Sequence, residues 1–395
     1  MKLQSIHDGT VYATDGREVY RETGESISAG TANVTLPGGM TFKSVGSLPV
    51  ESSGLAGITE RLQTARPWKG LLGPIVGSYQ TVNLWAFSSS MLATVGQRVF
   101  VSADGGETWT QRLSLPPTSP RMGVLPSSVC SDGDVTYLAE YPLDVNTTPR
   151  VYRSTDGGWS WETYLELPDV RHVHSVSIDP YSGDCWLTTG DTDDACRLLR
   201  LRDDEMRVVG GGSQDWRIVE PAFTRDGILW GVDCGYTEVN RIFRLPRSRL
   251  DSATPTPEPV GQVESSVYYA ETFSTGGTEW VVLSTAAESG GDRTAPDEDT
   301  HGDQVARVVA ASAETGFTEW TTLATYRRRT TPADWSVTPS GLPTANAYVF
   351  LASCPDRGLF VNPFNTATAN GDVRRIPLST FADLSSPDGR RAEVS

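Results

Sequence analysis

The chain has 395 residues, with 49 Asp and Glu against 33 Lys and Arg, a formal net charge of −16 at pH 7. That balance argues against nucleic acid or an anionic membrane surface as a general partner. No apolar run approaches the ~18 residues that a spanning helix needs, so membrane insertion is not expected.

Apolar residues do not recur at helical spacing in any long segment. Short β-branched and aromatic runs broken by Gly, Asp and Pro dominate instead, the pattern of many short strands. The first unit reads as Leu3–Pro49, with strands near Thr10–Thr14 and Glu18–Thr23. Residues 51–78 form a long connection. The second unit is Tyr79–Pro116 and the third Met122–Pro168. A fourth runs His172–Gly211, and a fifth Trp216–Val260 around the Asp226-Gly227 hairpin, with a stiff proline loop at Asp251–Pro259. The sixth, Val263–Thr325, carries an acidic insertion, Ala286–Asp303. The seventh is Trp335–Leu378, and Phe381–Ser395 reads as a C-terminal tail. The expectation is an all-β chain, a β-propeller of four-stranded antiparallel blades over residues 1–380. Seven blades are expected, or six if the first unit is not a full blade.

Two octapeptides mark the repeat. Ser102-Ala103-Asp104-Gly105-Gly106-Glu107-Thr108-Trp109 follows the strand Arg98–Val101, and Ser154-Thr155-Asp156-Gly157-Gly158-Trp159-Ser160-Trp161 follows Arg150–Arg153. Their separation approximates one blade of roughly 40–50 residues. Asp-Gly and Gly-Gly supply the positive φ of a tight turn. The Ser and Asp side chains offer bonds to turn N–H groups, and the final Trp covers the hairpin. These octapeptides resemble the Asp boxes, or BNR repeats, of sialidases and related propellers. The resemblance implies that Ser102, Asp104, Gly106, Thr108 and Trp109, and likewise Ser154, Asp156, Gly158, Ser160 and Trp161, serve turn stability on outer hairpins, not catalysis. Weaker echoes occur at Ser274–Trp280 and Ser312–Trp320.

The same family uses an arginine triad, a Tyr–Glu nucleophile pair and an Asp acid/base. Its Phe/Tyr-Arg-Ile/Leu-Pro string has a match at Phe243-Arg244-Leu245-Pro246, but after both good boxes, where Arg244 falls in the wrong blade for the triad. No catalytic set assembles from the sequence. Asp191-Thr192-Asp193-Asp194 and Asp203-Asp204-Glu205 read as solvated turns. His172-Val173-His174 places two imidazoles on one face of a strand, with no third metal ligand identifiable. No metal or cofactor is expected, a Ca²⁺ in the acidic loop 297–303 being the alternative. The cysteines Cys130, Cys185, Cys196, Cys234 and Cys354 form neither a zinc pattern nor a disulfide framework.

Lysine supplies only Lys2, Lys43 and Lys69 among the basic residues. With the acid excess, that composition resembles proteins of salt-loving organisms. Met1–Gly9 lacks the apolar region of a signal peptide, so a virion or the cytoplasm of a halophilic host is the expected location. The functional expectation is a non-catalytic structural or attachment protein, binding a host surface or glycan or other structural proteins of an assembly, such as a virion or tail component of a halophile virus. A sialidase-like glycoside hydrolase is the alternative. The halophilic reading makes a prediction. The melting temperature should fall on dialysis from molar salt to ~0.1 M, where the Debye length lengthens to about 10 Å and like charges repel. Thermal denaturation in the two buffers checks it, and an unchanged midpoint would contradict it.

Overall fold

The computed structural model describes residues 1–23, 33–35, 40–50, 58, 81–116, 123–133, 135–142, 147–235, 237–288, 304–329 and 346–385. The insertion at 51–78, apart from residue 58, and the acidic loop 297–303 lie outside them.

Seven antiparallel sheets succeed one another along the chain, and the protein is an all-β, seven-bladed propeller. The first sheet holds β1 (Lys2–His7), β2 (Thr10–Asp15), β3 (Glu18–Glu22), β4 (Asn33–Thr35) and β5 (Thr41–Ser47), paired in the order β1-β2-β3-β5-β4. The second is β6 (Val82–Ala86), β7 (Met91–Val95), β8 (Arg98–Ser102) and β9 (Thr110–Ser114). The third is β10 (Val129–Asp132), β11 (Val135–Ala139), β12 (Arg150–Ser154) and β13 (Glu162–Glu166). The fourth is β14 (Val173–Ile178), β15 (Cys185–Thr189), β16 (Arg197–Arg202) and β17 (Glu205–Gly211). The fifth is β18 (Ala222–Phe223), β19 (Gly227–Gly231), β20 (Asn240–Pro246) and β21 (Glu258–Val263). The sixth is β22 (Val267–Thr275), β23 (Thr278–Thr285), β24 (Val305–Ser312) and β25 (Thr321–Arg327). The seventh holds β26 (Tyr348–Cys354), β27 (Gly358–Phe364) and β28 (Arg374–Ile376) among the described residues.

Within each four-stranded sheet the strands pair in chain order, as a meander. The chain divides into two compact units, Met1–Asp179 with Gly183–Val208, and Pro180–Ser182 with Val209–Ser395. In the first, β1 lies beside β6 and β10 beside β14. In the second, β18 lies beside β22 and β22 beside β26. In these pairs, within each unit, the first strands of successive sheets are neighbours. In the second sheet the gradient across a blade is plain. β6 and β7 are buried at every residue, whereas the outermost β9 alternates between exposed and half-buried. A strand buried on both faces reads as a continuous apolar run, and a half-solvated one alternates.

Two kinds of irregularity recur in register. A bulge interrupts the pairing of the third strand with the next at Val19/Tyr20, Val99/Phe100, Val151/Tyr152, Ile242/Phe243 and Val308/Val309. A second bulge lies near the start of first strands. It skips Gln4 in β1, His174 in β14 and Tyr268 in β22.

The two octapeptide turns join third to fourth strands and are built alike. Ser102 Oγ donates to Asp104 Oδ1 (2.7 Å) and accepts from Gly106 N–H (2.9 Å), Asp104 accepts from Thr108 N–H (2.9 Å), and Trp109 Nε1 donates to the Gly106 carbonyl (3.0 Å). Ser154, Asp156, Gly158, Ser160 and Trp161 repeat every bond at 2.8 Å. Gly105, Gly106, Gly157 and Gly158 all have positive φ, the region an L side chain resists. Each turn also packs onto the preceding blade. Gly106 faces Val19, and Gly158 faces Leu92 and Val101. Hydrogen bonds to Thr108 and Ser102 hold the Asp104 carboxyl far below the usual carboxylate range. The two weaker echoes do not copy this pattern. Trp280 lies inside β23, and Trp320 Nε1 donates to the Val260 carbonyl in the neighbouring sheet.

The expected tail begins inside packed structure. Residues Leu378–Ser385 form α1, and Phe381 is buried against Phe273 (4.8 Å between ring centroids) and Trp280 (5.3 Å). The apolar residues of a single helix gave no strand signal, so the sequence left this segment outside the fold. Residues 386–395 lie outside the described set. All five cysteines are free thiols.

Replacing Ser102 with Ala should destabilise the protein by ~1–3 kcal/mol, because the buried Gly106 N–H loses its acceptor. Ser154→Ala should do the same. Denaturant unfolding checks both, and a midpoint within error of wild type would refute the role.

Candidate functional site

Polar and aromatic side chains gather at the start of β22, in the second unit. Tyr268 is the bulged residue there, and bulges re-aim a side chain and loosen local pairing. Tyr268 Oη donates to Glu288 Oε1 (2.9 Å) and accepts from Asn346 Nδ2 (2.9 Å). Glu288 lies beyond the end of β23. Burial, followed by the charge of Asp233, pushes its carboxyl up to about 7, against the opposing pull of Tyr268 and Arg217. Asp233 is itself paired with Arg217, Nε to Oδ2 at 3.5 Å, and its own N–H donates to the Arg217 carbonyl. The Tyr268 hydroxyl is held far above its ordinary value by burial and by Glu288.

Two further carboxyl groups stand close by along the same strand. Glu220 accepts from the Ala270 N–H (2.9 Å), and Glu271 accepts from Ser353 Oγ (2.9 Å). Burial and the Glu271 charge push Glu220 up to about 8, and burial pushes Glu271 to about 7. A carboxyl that stays protonated near neutrality can donate as well as accept, which a solvated carboxylate cannot. Each of these residues is half-buried, so part of each remains open to solvent.

Aromatic rings line the same place. Tyr348 stacks on Phe364 (5.1 Å, 21°) and meets Phe350 edge-on (5.1 Å, 87°), while Tyr269 touches Tyr348 (5.7 Å) and Phe350 (5.2 Å). Tyr268 completes the patch at 5.9 Å from Tyr348. Aromatic faces beside hydrogen-bonding carboxyls are the usual lining of a small-molecule cleft.

A second cluster lies in the first unit. His172, His174 and Asp191 converge at the start of β14 and the end of β15. His172 Nε2 is 3.1 Å from His174 Nε2 and 3.2 Å from Asp191 Oδ2, and Arg171 reaches Asp191 Oδ2 at 2.8 Å. Both imidazoles are buried. Burial outweighs the Asp191 bond and lowers the His172 pKa. Bonds from both histidines outweigh burial and hold Asp191 far below the carboxylate range.

The positions singled out in the sequence fall in different places. Asp191, expected in a solvated turn, supplies the third group that the His172/His174 pair lacked, and it does so with a strained positive φ of 100°. The bulge at His174 also departs from simple alternation along the strand. Asp204, likewise expected in a solvated turn, bonds Arg153 (2.9 Å) and the Tyr164 hydroxyl. Arg244 sits in β20, the third strand of its sheet, opposite Leu229 and Glu258. The ten octapeptide residues lie in the two turns described above. Tyr268, Glu288, Glu220 and Glu271 carried no sequence signal. Tyr268 and Glu220 stand near the apolar strand starts at Val267 and Ala222, Glu271 lies inside β22, and Glu288 falls at the start of the acidic insertion Ala286–Asp303.

Comparison with known proteins leaves the family open. No family model matches the chain, and no curated protein matches it. Solved structures resemble it weakly. A chain of a mitotic checkpoint complex is 10% identical, with 95% of this chain and 90% of that one covered and a TM-score of 0.49. A hydrazine synthase of Kuenenia stuttgartiensis is 11% identical over 69% and 70%, with a TM-score of 0.42. An oxidoreductase of Thermus thermophilus described as a glucose dehydrogenase is 14% identical over 74% and 94%, with a TM-score of 0.41.

The raised carboxyls carry a linkage to stability. Their folded pKa values lie above the ~4.3 of an unfolded glutamic acid. The stabilisation from holding the proton is complete below that value and is lost as pH rises through 7 to 8. Glu271→Gln, a neutral mimic of the acid, should therefore lose less melting temperature than wild type between about pH 5 and about pH 9. Parallel curves for the two proteins would contradict this.

Proposed function

We propose that the chain is a carbohydrate-recognition propeller, a non-catalytic structural or attachment protein that binds a glycan at the β22 cleft. One observation carries the reading. Tyr269, Tyr348 and Phe350 pack ring on ring, Tyr348 meets Tyr268, and Tyr268 bonds Glu288, while Glu271 on β22 and Glu220 against the Ala270 amide add two more hydrogen-bonded carboxyls held near 7 to 8. A sugar presents C–H faces to rings and hydroxyl groups to carboxyls that both donate and accept. The matching bonds in the turns at Ser102–Trp109 and Ser154–Trp161 support an Asp-box architecture. The acid excess supports a setting in concentrated salt, such as a virion or host surface of a halophile.

A second reading has its own observation. Tyr268 bonded to Glu288, with Asp233 alongside, resembles the Tyr–Glu and Asp set of a sialidase-like glycoside hydrolase. Against it, Arg217 is the guanidinium acting on Glu288, where the family uses three arginines.

Binding to a glycan array in molar salt, together with a panel of aryl glycosides, separates the readings. The recognition role predicts a bound glycan without turnover. Tyr348→Ala should weaken binding at least tenfold, about 1.4 kcal/mol. Turnover abolished by Glu288→Gln or Tyr268→Phe would establish the hydrolase instead, and no binding to any glycan would overturn the first reading.

A further inference from the structure

The cluster at His172, His174 and Asp191 brings three ligand atoms to one point. His172 Nε2 lies 3.2 Å from Asp191 Oδ2 and 3.1 Å from the Nε2 of His174. His174 Nε2 is in turn 3.7 Å from Asp191 Oδ1. His172 Nδ1 lies 3.3 Å from the Pro142 carbonyl, which only accepts, so a ring proton held there leaves Nε2 as a lone pair. The Arg171 guanidinium reaches Asp191 from outside the three, at 2.8 Å. A proton shared within each pair is one cation that holds these atoms together.

The spacing suits another cation. Ligands at about 2.0–2.1 Å from a metal ion lie roughly 3.3–3.4 Å apart around a tetrahedron and roughly 3 Å apart at right angles. The observed separations of 3.1 and 3.2 Å fall between those values, and 3.7 Å lies a little above them.

The surroundings hold the donors in that arrangement. Tyr141 stacks on the His172 ring (3.9 Å, 25°), and the Pro142 carbonyl orients its tautomer as an outer-shell acceptor does for a metal-binding histidine. Ser127 Oγ donates to the His174 carbonyl (2.7 Å) at the bulge. A Cβ at Gly190 would collide with the His174 ring, so that ring lies directly on the backbone. Asp191 follows at a φ of 100°, a strain of the kind that persists where a site requires it.

We propose that His172, His174 and Asp191 form a binding site for one divalent transition-metal ion of the zinc–iron class, two imidazoles and one carboxylate supplying the protein ligands. The donor set is the two-histidine, one-carboxylate type that such ions prefer over Mg²⁺ or Ca²⁺. The ion would tie the loop carrying Tyr141 and Pro142, which follows β11, to β14 and β15. This inference is independent of the glycan reading, since it concerns other residues.

The full chain, stripped with chelator in molar salt, should be titrated with Zn²⁺ alone and with Co²⁺ alone. The expected result is one equivalent of tightly bound Zn²⁺, a raised melting temperature, and visible Co²⁺ bands typical of nitrogen–oxygen ligation. Asp191→Asn, nearly isosteric, should weaken Zn²⁺ binding at least tenfold, and His174→Gln should abolish the Co²⁺ bands. No bound metal in wild type would overturn the proposal. So would Zn²⁺ binding unchanged in Asp191→Asn, because the ion would then sit elsewhere, for instance among the acids of 297–303.

Discussion

The starts of the first strands are packed against neighbouring first strands and have little access to water. β6 is buried throughout, β14 begins with four buried residues, and β22 begins with the buried Val267. Under that constraint every polar group must find a protein partner, because an unsatisfied buried donor or acceptor costs about 1–3 kcal/mol. The polar residues placed at these strand starts therefore meet one another. Tyr268 finds Glu288, Glu220 finds the Ala270 amide, and His172 finds Asp191. The same lack of water raises the carboxyls of Glu220, Glu271 and Glu288 and lowers the His172 imidazole.

One backbone device recurs at those starts. A single skipped residue falls at Gln4, His174 and Tyr268. In β1 its use is structural. The Gln4 side chain donates to Thr14 Oγ1 and the Val82 carbonyl and accepts from the Leu84 N–H, joining the first two sheets. In β14 and β22 the bulged residue turns toward ionisable groups. The same irregular position thus recurs in three of the blades, and the residue found there decides between a structural bridge and a reactive cluster.

The octapeptide turns do a different job. They lie between third and fourth strands, away from the strand starts, and fasten each blade to the one before through Gly106 on Val19 and Gly158 on Leu92. Their Asp carboxyls are exposed, bonded inside their own turns and held fully ionised. They stabilise the architecture that brings the strand starts together and contribute no group to either cluster.

The sequence by itself determined the local structure. Alternating short strands and Gly-rich turns placed all seven units, and the two octapeptides specified their own hydrogen bonds, because every partner lies within eight residues. His172 and His174 were also legible as a pair. What the tertiary structure decided is which distant groups share a site. Asp191 joins those histidines across the β14–β15 pairing, Glu288 comes to Tyr268 from the far end of β23, and Ser353 reaches Glu271 from the next sheet. Phe381 shows the same limit, since its helix is fixed by rings a hundred residues earlier. Turn chemistry is set by neighbours in the chain, whereas burial, and with it each displaced pKa, is a property of the packed sheets alone.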